Sequence, residues 1–132
     1  MSQYSDQFKD IPGTVIFDTK QSRKGYHLNM FCMSLMQNEN REAFKADEDT
    51  YLDKFPMTAE QHQAVRDRDL NRMISLGGNI YFLAKIGATD GLSFQKLASM
   101  MSGVTEDEYK KMMIDGGRSV EGNRSKSEWK ND

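Results

Sequence analysis

The sequence predicts an all-α protein, and three observations support this fold class. Only two prolines interrupt the 132 residues. Valine is scarce, and no stretch alternates apolar and polar residues as a strand with one buried face does. Several stretches instead repeat apolar residues every three or four positions, which is the spacing of a helix face. We therefore expect one small multi-helix domain, with an irregular arm over 1–23, a helical core over 24–117 and a polar tail over 118–132.

The first helix is predicted from Lys24 to Met36, after a turn at Ile11–Thr14 and a short extended piece at Val15–Phe17. Five apolar residues form its stripe at helical spacing: Leu28, Phe31, Cys32, Leu35 and Met36. Three further apolar residues lie off this stripe: Tyr26, Met30 and Met33. So apolar a helix should be buried on two sides. In a domain of this size, the second buried side suggests contact with a second chain.

Two helices are predicted in the middle of the chain. The first covers Glu39 to Phe55, with Asp47 as the point where it can break. The second begins after Thr58, because Thr58 and Gln61 have the spacing of a capping box, and it ends at Gly77-Gly78. The apolar face of the first helix comprises Phe44, Tyr51, Leu52 and Phe55, and the buried candidates of the second are Val65, Leu70, Met73 and Ile74.

The last part of the core predicts three shorter helices. Asn79 begins the first, an apolar helix followed by a loop over 87–91. Ser93 is the predicted N-cap of the next, which Gly103 ends. A second capping box, Thr105 to Glu108, begins the last helix. The predicted face of the Ser93 helix carries Phe94, Leu97, Ala98 and Met101, and the last helix carries Tyr109, Met112 and Met113.

Charge and cysteine content restrict the class of protein. With 18 basic and 20 acidic residues the net charge is −2, so a nucleic-acid partner is not expected. The single cysteine, Cys32, allows no intrachain disulfide and suits a reducing compartment. The longest apolar run, 80–84, is far shorter than the roughly 20 residues that span a bilayer. Because the first ten residues also lack a signal-peptide core, we predict a cytoplasmic protein with no membrane contact.

No set of residues predicts a catalyst that acts alone. Non-haem iron is commonly held by two histidines and a carboxylate, but His27 and His62 fall on different predicted helices and have no histidine or cysteine neighbour at helical spacing. Cys32 lies on an apolar stripe, which is typical of a buried small hydrophobe. The loop over 87–91 lacks the ending of a phosphate-binding loop.

Methionine is unusually common in this chain, with ten residues. Seven of them concentrate on three predicted helices: Met30, Met33, Met36, Met100, Met101, Met112 and Met113. Methionine fills irregular gaps in cores, and it is also enriched at protein contact surfaces. The sequence alone leaves both interpretations open for this cluster.

An ordered set of short stretches, spread over about residues 10–125, carries a family resemblance. They are DIPGT at 10–14, SRKGY at 22–26, MSLM at 33–36, ENR at 39–41 with FKAD at 44–47, GGNIYFL at 77–83, TDG at 89–91 with SFQ at 93–95, and MMIDGGRS at 112–119. In this order the stretches resemble the small (alpha) subunits of the protocatechuate 4,5-dioxygenase family, which are class III extradiol ring-cleaving dioxygenases.

The resemblance implies a division of labour between two chains. In this family a larger beta subunit holds Fe(II) with two histidines and one glutamate and provides the acid–base groups. The small helical subunit covers that active site, and the pair assembles as an alpha2beta2 heterotetramer. A catechol such as protocatechuate is opened with O2 beside its hydroxyls, giving 4-carboxy-2-hydroxymuconate semialdehyde. The resemblance thus implies no catalytic residue and no metal ligand on this chain.

The position that matches the family's substrate-pocket lid is Phe94. There the ring would pack near the aromatic substrate and help to exclude water. Alternatively, Phe94 only anchors its own helix together with Leu97 and Met101. Two other functions stay open beside the dioxygenase subunit: a stand-alone helical binding module, and a small metalloenzyme that uses His27 and His62. Relatives that act on gallate or its methyl ethers also leave the exact substrate open.

Overall fold

The computed structural model describes Phe8, Ile11 and residues 14–117, and these residues form helices without strands. The all-α prediction is therefore confirmed. Most of the predicted arm before residue 14 and the whole predicted tail from residue 118 lie outside the described residues. None of the described helices is long and apolar enough to cross a membrane. These helices are α1 (Thr19–Lys24), α2 (Tyr26–Ser34), α3 (Asn38–Ala46), α4 (Glu48–Leu52), α5 (Ala59–Arg66), α6 (Leu70–Ser75), α7 (Ile80–Thr89), α8 (Phe94–Ser102) and α9 (Glu106–Ile114).

Five of the six residues of α1 lie in the arm that was predicted to be irregular, so that part of the prediction is wrong. The Asp18 side chain accepts a hydrogen bond from the Gln21 backbone N–H at 2.9 Å and caps the first turn. Gln21 Nε2 in turn donates to the carbonyls of Ile74 and Ser75 at 3.0 and 3.2 Å. Lys24 Nζ donates to the Ser75 carbonyl at 3.1 Å. These partners are distant in sequence, and no local pattern reveals them.

The predicted first helix is interrupted at Gly25, where α1 ends and α2 begins. A Cβ atom on Gly25 would lie 1.8 Å from the carbonyl oxygen of Gly77, so the two glycines bring the backbones into contact. The buried Asn29 links the same segments: its Nδ2 donates to the Gly77 carbonyl at 3.1 Å, and its Oδ1 accepts from the Asn79 N–H at 3.0 Å. The break therefore comes from tertiary packing and not from a weak helix sequence.

The core centres on α2, and four of the five residues of the predicted apolar stripe are buried. The prediction is wrong for Met36, which follows the end of α2 at Ser34 and is 58% accessible. Phe31 lies within ring-stacking distance of Phe44 on α3 and Tyr51 on α4, with centroids 5.2 and 6.1 Å away. The break predicted at Asp47 is confirmed, because Asp47 separates α3 from α4 and its carboxylate accepts from the Thr50 N–H at 3.2 Å. The other fully buried large side chains include Leu28, Leu35, Leu52, Val65, Met73, Leu83 and Ile86.

The single helix predicted from Thr58 to Gly77-Gly78 is in fact two helices, α5 and α6. Between them Arg68 adopts a left-handed backbone conformation, with φ of 53°, which side chains other than glycine rarely take. Its guanidinium is held by the carboxylates of Glu48 and Asp90 and by the Val65 carbonyl. Glu48 lies before α5, Asp90 follows α7, and Val65 lies within α5. Contacts with distant residues therefore stabilise the left-handed conformation of Arg68 and the break between α5 and α6.

The prediction of a loop over 87–91 is also wrong, because α7 continues to Thr89. Gly87 is a helical residue whose absent side chain makes room for α8. A Cβ atom there would lie 2.4 Å from Leu97 Cδ1. Glycine in this helix is thus a packing requirement rather than a helix stop.

Most of the predicted helix ends are confirmed. Both capping boxes have their reciprocal hydrogen bonds, Asn79 and Ser93 cap α7 and α8, and Gly103 ends α8 with φ of 72°. Short-range side-chain chemistry therefore fixes these ends, whereas the unpredicted breaks depend on distant residues.

Candidate functional site

Phe94 is the first residue of α8, and its side chain is exposed. With 60% of its surface accessible, it does not belong to the buried core. Leu97, by contrast, is 4% accessible and packs in the core. Phe94 is therefore not a core residue, and α8 leaves an aromatic ring accessible at its start.

The helix that carries this ring is braced from two sides. Leu97 packs on Gly87 of α7, as described above. At the start of α8, Ser93 Oγ accepts a hydrogen bond from the Lys96 N–H at 3.1 Å and contacts Glu106 Oε1 of α9 at 3.2 Å. The exposed ring is therefore held on a backbone whose position is set by both neighbouring helices. Such placement suits a group that must meet another molecule in a defined position.

The seven methionines divide between half-buried and exposed positions. None of the seven cluster members is buried, whereas Met73, outside the cluster, is fully buried. Met36, Met100 and Met113 are exposed, together with the neighbouring Ile114. Met101, by contrast, packs against the core. Both interpretations therefore hold for part of the cluster, and the three exposed methionines are available for contact with another chain.

The candidate metal and nucleophile residues do not assemble into a site. Within residues 8, 11 and 14–117, no three His, Cys, Asp or Glu side chains are grouped to hold a metal ion. His27 is exposed on α2 and lies beside Tyr26, with ring centroids 5.1 Å apart. His62 is half-buried on α5, and its Nε2 has no hydrogen-bond partner in the described part of the chain.

Cys32 is fully buried on α2, as its place on the apolar stripe predicted. Burial raises the pKa of its thiol to about 12, although the positive charge of Lys85 acts in the opposite direction. At neutral pH the thiolate, which is the nucleophilic form, is therefore almost absent. The residue serves the core and not a reaction.

The chain matches a family model and is similar to known proteins. The family model described as "Aromatic-ring-opening dioxygenase LigAB, LigA subunit" matches residues 28–114, about two thirds of the chain. The matched range runs from α2 to the end of α9 and includes Phe94. The chain is also 25% identical over 103 residues to gallate dioxygenase of Pseudomonas putida KT2440. The aligned part is 78% of this chain and 30% of that relative, so the chain spans less than a third of the relative's length.

Proposed function

The chain belongs to the LigA subunit family of aromatic-ring-opening dioxygenases, and we propose that it is the small, non-catalytic subunit of a protocatechuate 4,5-dioxygenase. The observation that carries this proposal is the family match over α2 to α9. The exposed ring of Phe94 and the surface methionines support it, because both are expected of a subunit that works in contact with another chain.

In the proposed enzyme the ring-opening iron belongs to the partner. The described residues offer no group of donors that fits an iron site, and we assign no step of ring opening to their side chains. A catalytic beta subunit in an alpha2beta2 complex would bind Fe(II) and open protocatechuate with O2, giving 4-carboxy-2-hydroxymuconate semialdehyde. This subunit would contribute shape and the exclusion of water. We also propose a cytoplasmic location, which suits its single, buried cysteine.

Within that complex Phe94 would form part of the lid over the substrate. An aromatic contact of this kind contributes about 0.5–1.5 kcal/mol beyond burial of area. We therefore expect Phe94→Ala to raise KM for protocatechuate by about 2–10-fold, or to widen the range of accepted catechols, while the iron content of the complex is unchanged. Val104→Ala, which shortens an exposed side chain between α8 and α9, is the control. Equal kinetics for wild type and Phe94→Ala across several catechols would remove Phe94 from the lid.

Co-expression with the catalytic subunit of the same organism tests the function itself. We expect a stable complex, O2 uptake with protocatechuate, and iron in the catalytic chain when the two are separated. A chain that bound stoichiometric iron and cleaved a catechol alone would contradict the proposal and revive the metalloenzyme hypothesis with His27 and His62. Failure to form any complex would favour the stand-alone binding module.

A second candidate is a subunit of a gallate dioxygenase. The match to the Pseudomonas putida gallate dioxygenase favours it. The aligned unit is 30% of that polypeptide, so we propose that the remainder corresponds to the catalytic partner of the present chain. Values of kcat/KM for protocatechuate, gallate and the methyl ethers of gallate, measured on the reconstituted complex, decide between the two substrates.

A further inference from the structure

An open groove of about 830 Å³ lies beside the non-helical segment 14–18, which precedes α1. Val15 and Phe17 of that segment line one part of it, Ile80 and Tyr81 at the start of α7 another, and Met101 of α8 a third. Its volume is in the range of binding sites. Three of these side chains, Val15, Phe17 and Tyr81, are exposed, and Tyr81 is 78% accessible.

The described residues that line the groove are uncharged, although 29% of the chain is charged. Backbone groups are also available there, because no described residue accepts a hydrogen bond from the N–H groups of Val15, Ile16 or Phe17. Four lining residues are polar but uncharged: Thr14, Asn71, Asn79 and Ser102. An uncharged, largely apolar segment therefore fits the groove, and its backbone could supply the matching carbonyl oxygens.

The groove and Phe94 share one face of α8. Phe94, Ala98 and Met101 are separated by four and three residues, so their side chains lie along the same side of the helix. The last two line the groove. Seven residues of helix span only about 10 Å, and a chain that covers Phe94 would therefore reach the groove as well.

We propose that this groove receives an uncharged apolar segment of the catalytic subunit, and that Val15, Phe17 and Tyr81 are its principal contacts. The inference rests on the proposed function, which supplies the partner, and adds where that partner docks. The same partner would then bear on two separate features of α8: the lid residue at its start and the groove towards its end.

The test is the affinity of this chain for the catalytic subunit of the same organism, measured by titration calorimetry. Phe17→Asp and Tyr81→Asp each place a carboxylate in the groove, and its desolvation on docking opposes binding. We expect the dissociation constant to rise by about 100-fold for each variant, and ring-cleavage activity to recover when the variant subunit is added in excess. Val104→Asp is the matched control, because Val104 is exposed between α8 and α9, does not line the groove and is assigned no partner contact.

Each outcome decides the point. If wild type binds and both groove variants bind within about threefold of it, the docking site is wrong while the proposed function stands. If wild type forms no complex, the proposed function fails and the docking site with it. Loss of wild-type self-association in Tyr81→Asp, seen by sedimentation, would assign the groove to a second copy. Chemical-shift changes of groove residues on adding free protocatechuate to the isolated chain would assign it to a small ligand. Either result overturns the proposal.

Discussion

Replacing Arg68 tests whether one side chain ties three parts of the fold together. Its guanidinium donates to both oxygens of Asp90, at 2.7 and 3.2 Å, to both oxygens of Glu48, and to the Val65 carbonyl at 2.7 Å. It also lies over the Phe44 ring, 5.2 Å from the centroid. Burial lowers the pKa of Arg68, but the hydrogen bonds and charges of Asp90 and Glu48 outweigh it, so the net shift is upward. The guanidinium therefore stays charged at all accessible pH.

The expected loss follows from the partial burial of this group. The Arg68 side chain is 21% accessible, against 37% for Glu48 and 27% for Asp90. A fully buried pair costs about 3–5 kcal/mol when one partner is removed, and an exposed pair about 0–1. For Arg68→Ala we therefore expect a loss of about 2–4 kcal/mol in the free energy of unfolding. Arg68→Gly should lose about 1 kcal/mol less, because glycine adopts the positive φ of this residue without strain.

Urea unfolding of the purified chain, followed by circular dichroism, measures both changes. With a slope of about 2 kcal/mol per molar urea, Arg68→Ala should unfold at roughly 1–2 M lower urea than wild type. Arg72→Ala is the control, since Arg72 pairs with Glu60 at 3.4 Å on the exposed surface and should cost at most about 0.5 kcal/mol. We call the contacts of Arg68 with Glu48 and Asp90 the clamp. Equal urea midpoints for Arg68→Ala and Arg72→Ala would show that the clamp does not stabilise the fold. An Arg68→Gly variant no more stable than Arg68→Ala would refute the backbone strain.

Two further predictions concern close packing and the buried thiol. Gly25→Ala should lower the free energy of unfolding by at least about 3 kcal/mol, because the new Cβ meets the Gly77 backbone. Gly91→Ala is the control and should lose only about 1 kcal/mol, because Gly91 has a φ of 79° but no atom near its Cβ. Urea unfolding of both variants measures the two losses, and equal losses would contradict the prediction. Cys32 should resist thiol reagents at pH 8 until the chain unfolds. The pKa of the Cys32 thiol is about 12 in the folded chain and near 8.5 in the unfolded chain. Its contribution to stability is therefore complete below about pH 8.5 and falls by up to about 1.4 kcal/mol per pH unit above it. If the free energy of unfolding changes equally with pH in wild type and Cys32→Ala from pH 8 to 10.5, this prediction is wrong.

The parts of the fold that the sequence predicts are those that depend on near neighbours. Ser93 caps α8 through the N–H three residues ahead, and the same short-range chemistry fixes the two capping boxes. The missed features depend on distant contacts. Gly25 breaks a helix because Gly77 lies against it, and Arg68 reverses the chain because Glu48 and Asp90, about 20 residues away on either side, hold its guanidinium. No window along the sequence contains both partners of such contacts.

The candidate site also has parts that the sequence predicts and parts that it does not. Only the family resemblance pointed to Phe94, since the periodicity of α8 was equally compatible with a core position. In the structure Leu97 lies on the side of α8 that packs on Gly87 of α7, and the Phe94 ring is 60% accessible. The groove beside Val15 and Phe17 was missed entirely. The sequence predicts a short extended piece at Val15–Phe17, but no local pattern shows that both side chains border an open space.

The side chains that stabilise the fold differ from those that we propose contact the partner. The clamp at Arg68 joins the start of α4 to the end of α7, whereas the proposed contacts lie in segment 14–18, at the start of α7 and along one face of α8. Exposed apolar groups such as Tyr81 add nothing to folding of the isolated chain, because their area leaves water only when a partner covers it, at about 25 cal/mol per Å². A variant of the clamp should therefore lower the unfolding midpoint without weakening the assembled complex while it stays folded. A groove variant such as Tyr81→Asp should weaken the proposed complex while the isolated chain unfolds near the wild-type midpoint, because Tyr81 is 78% accessible.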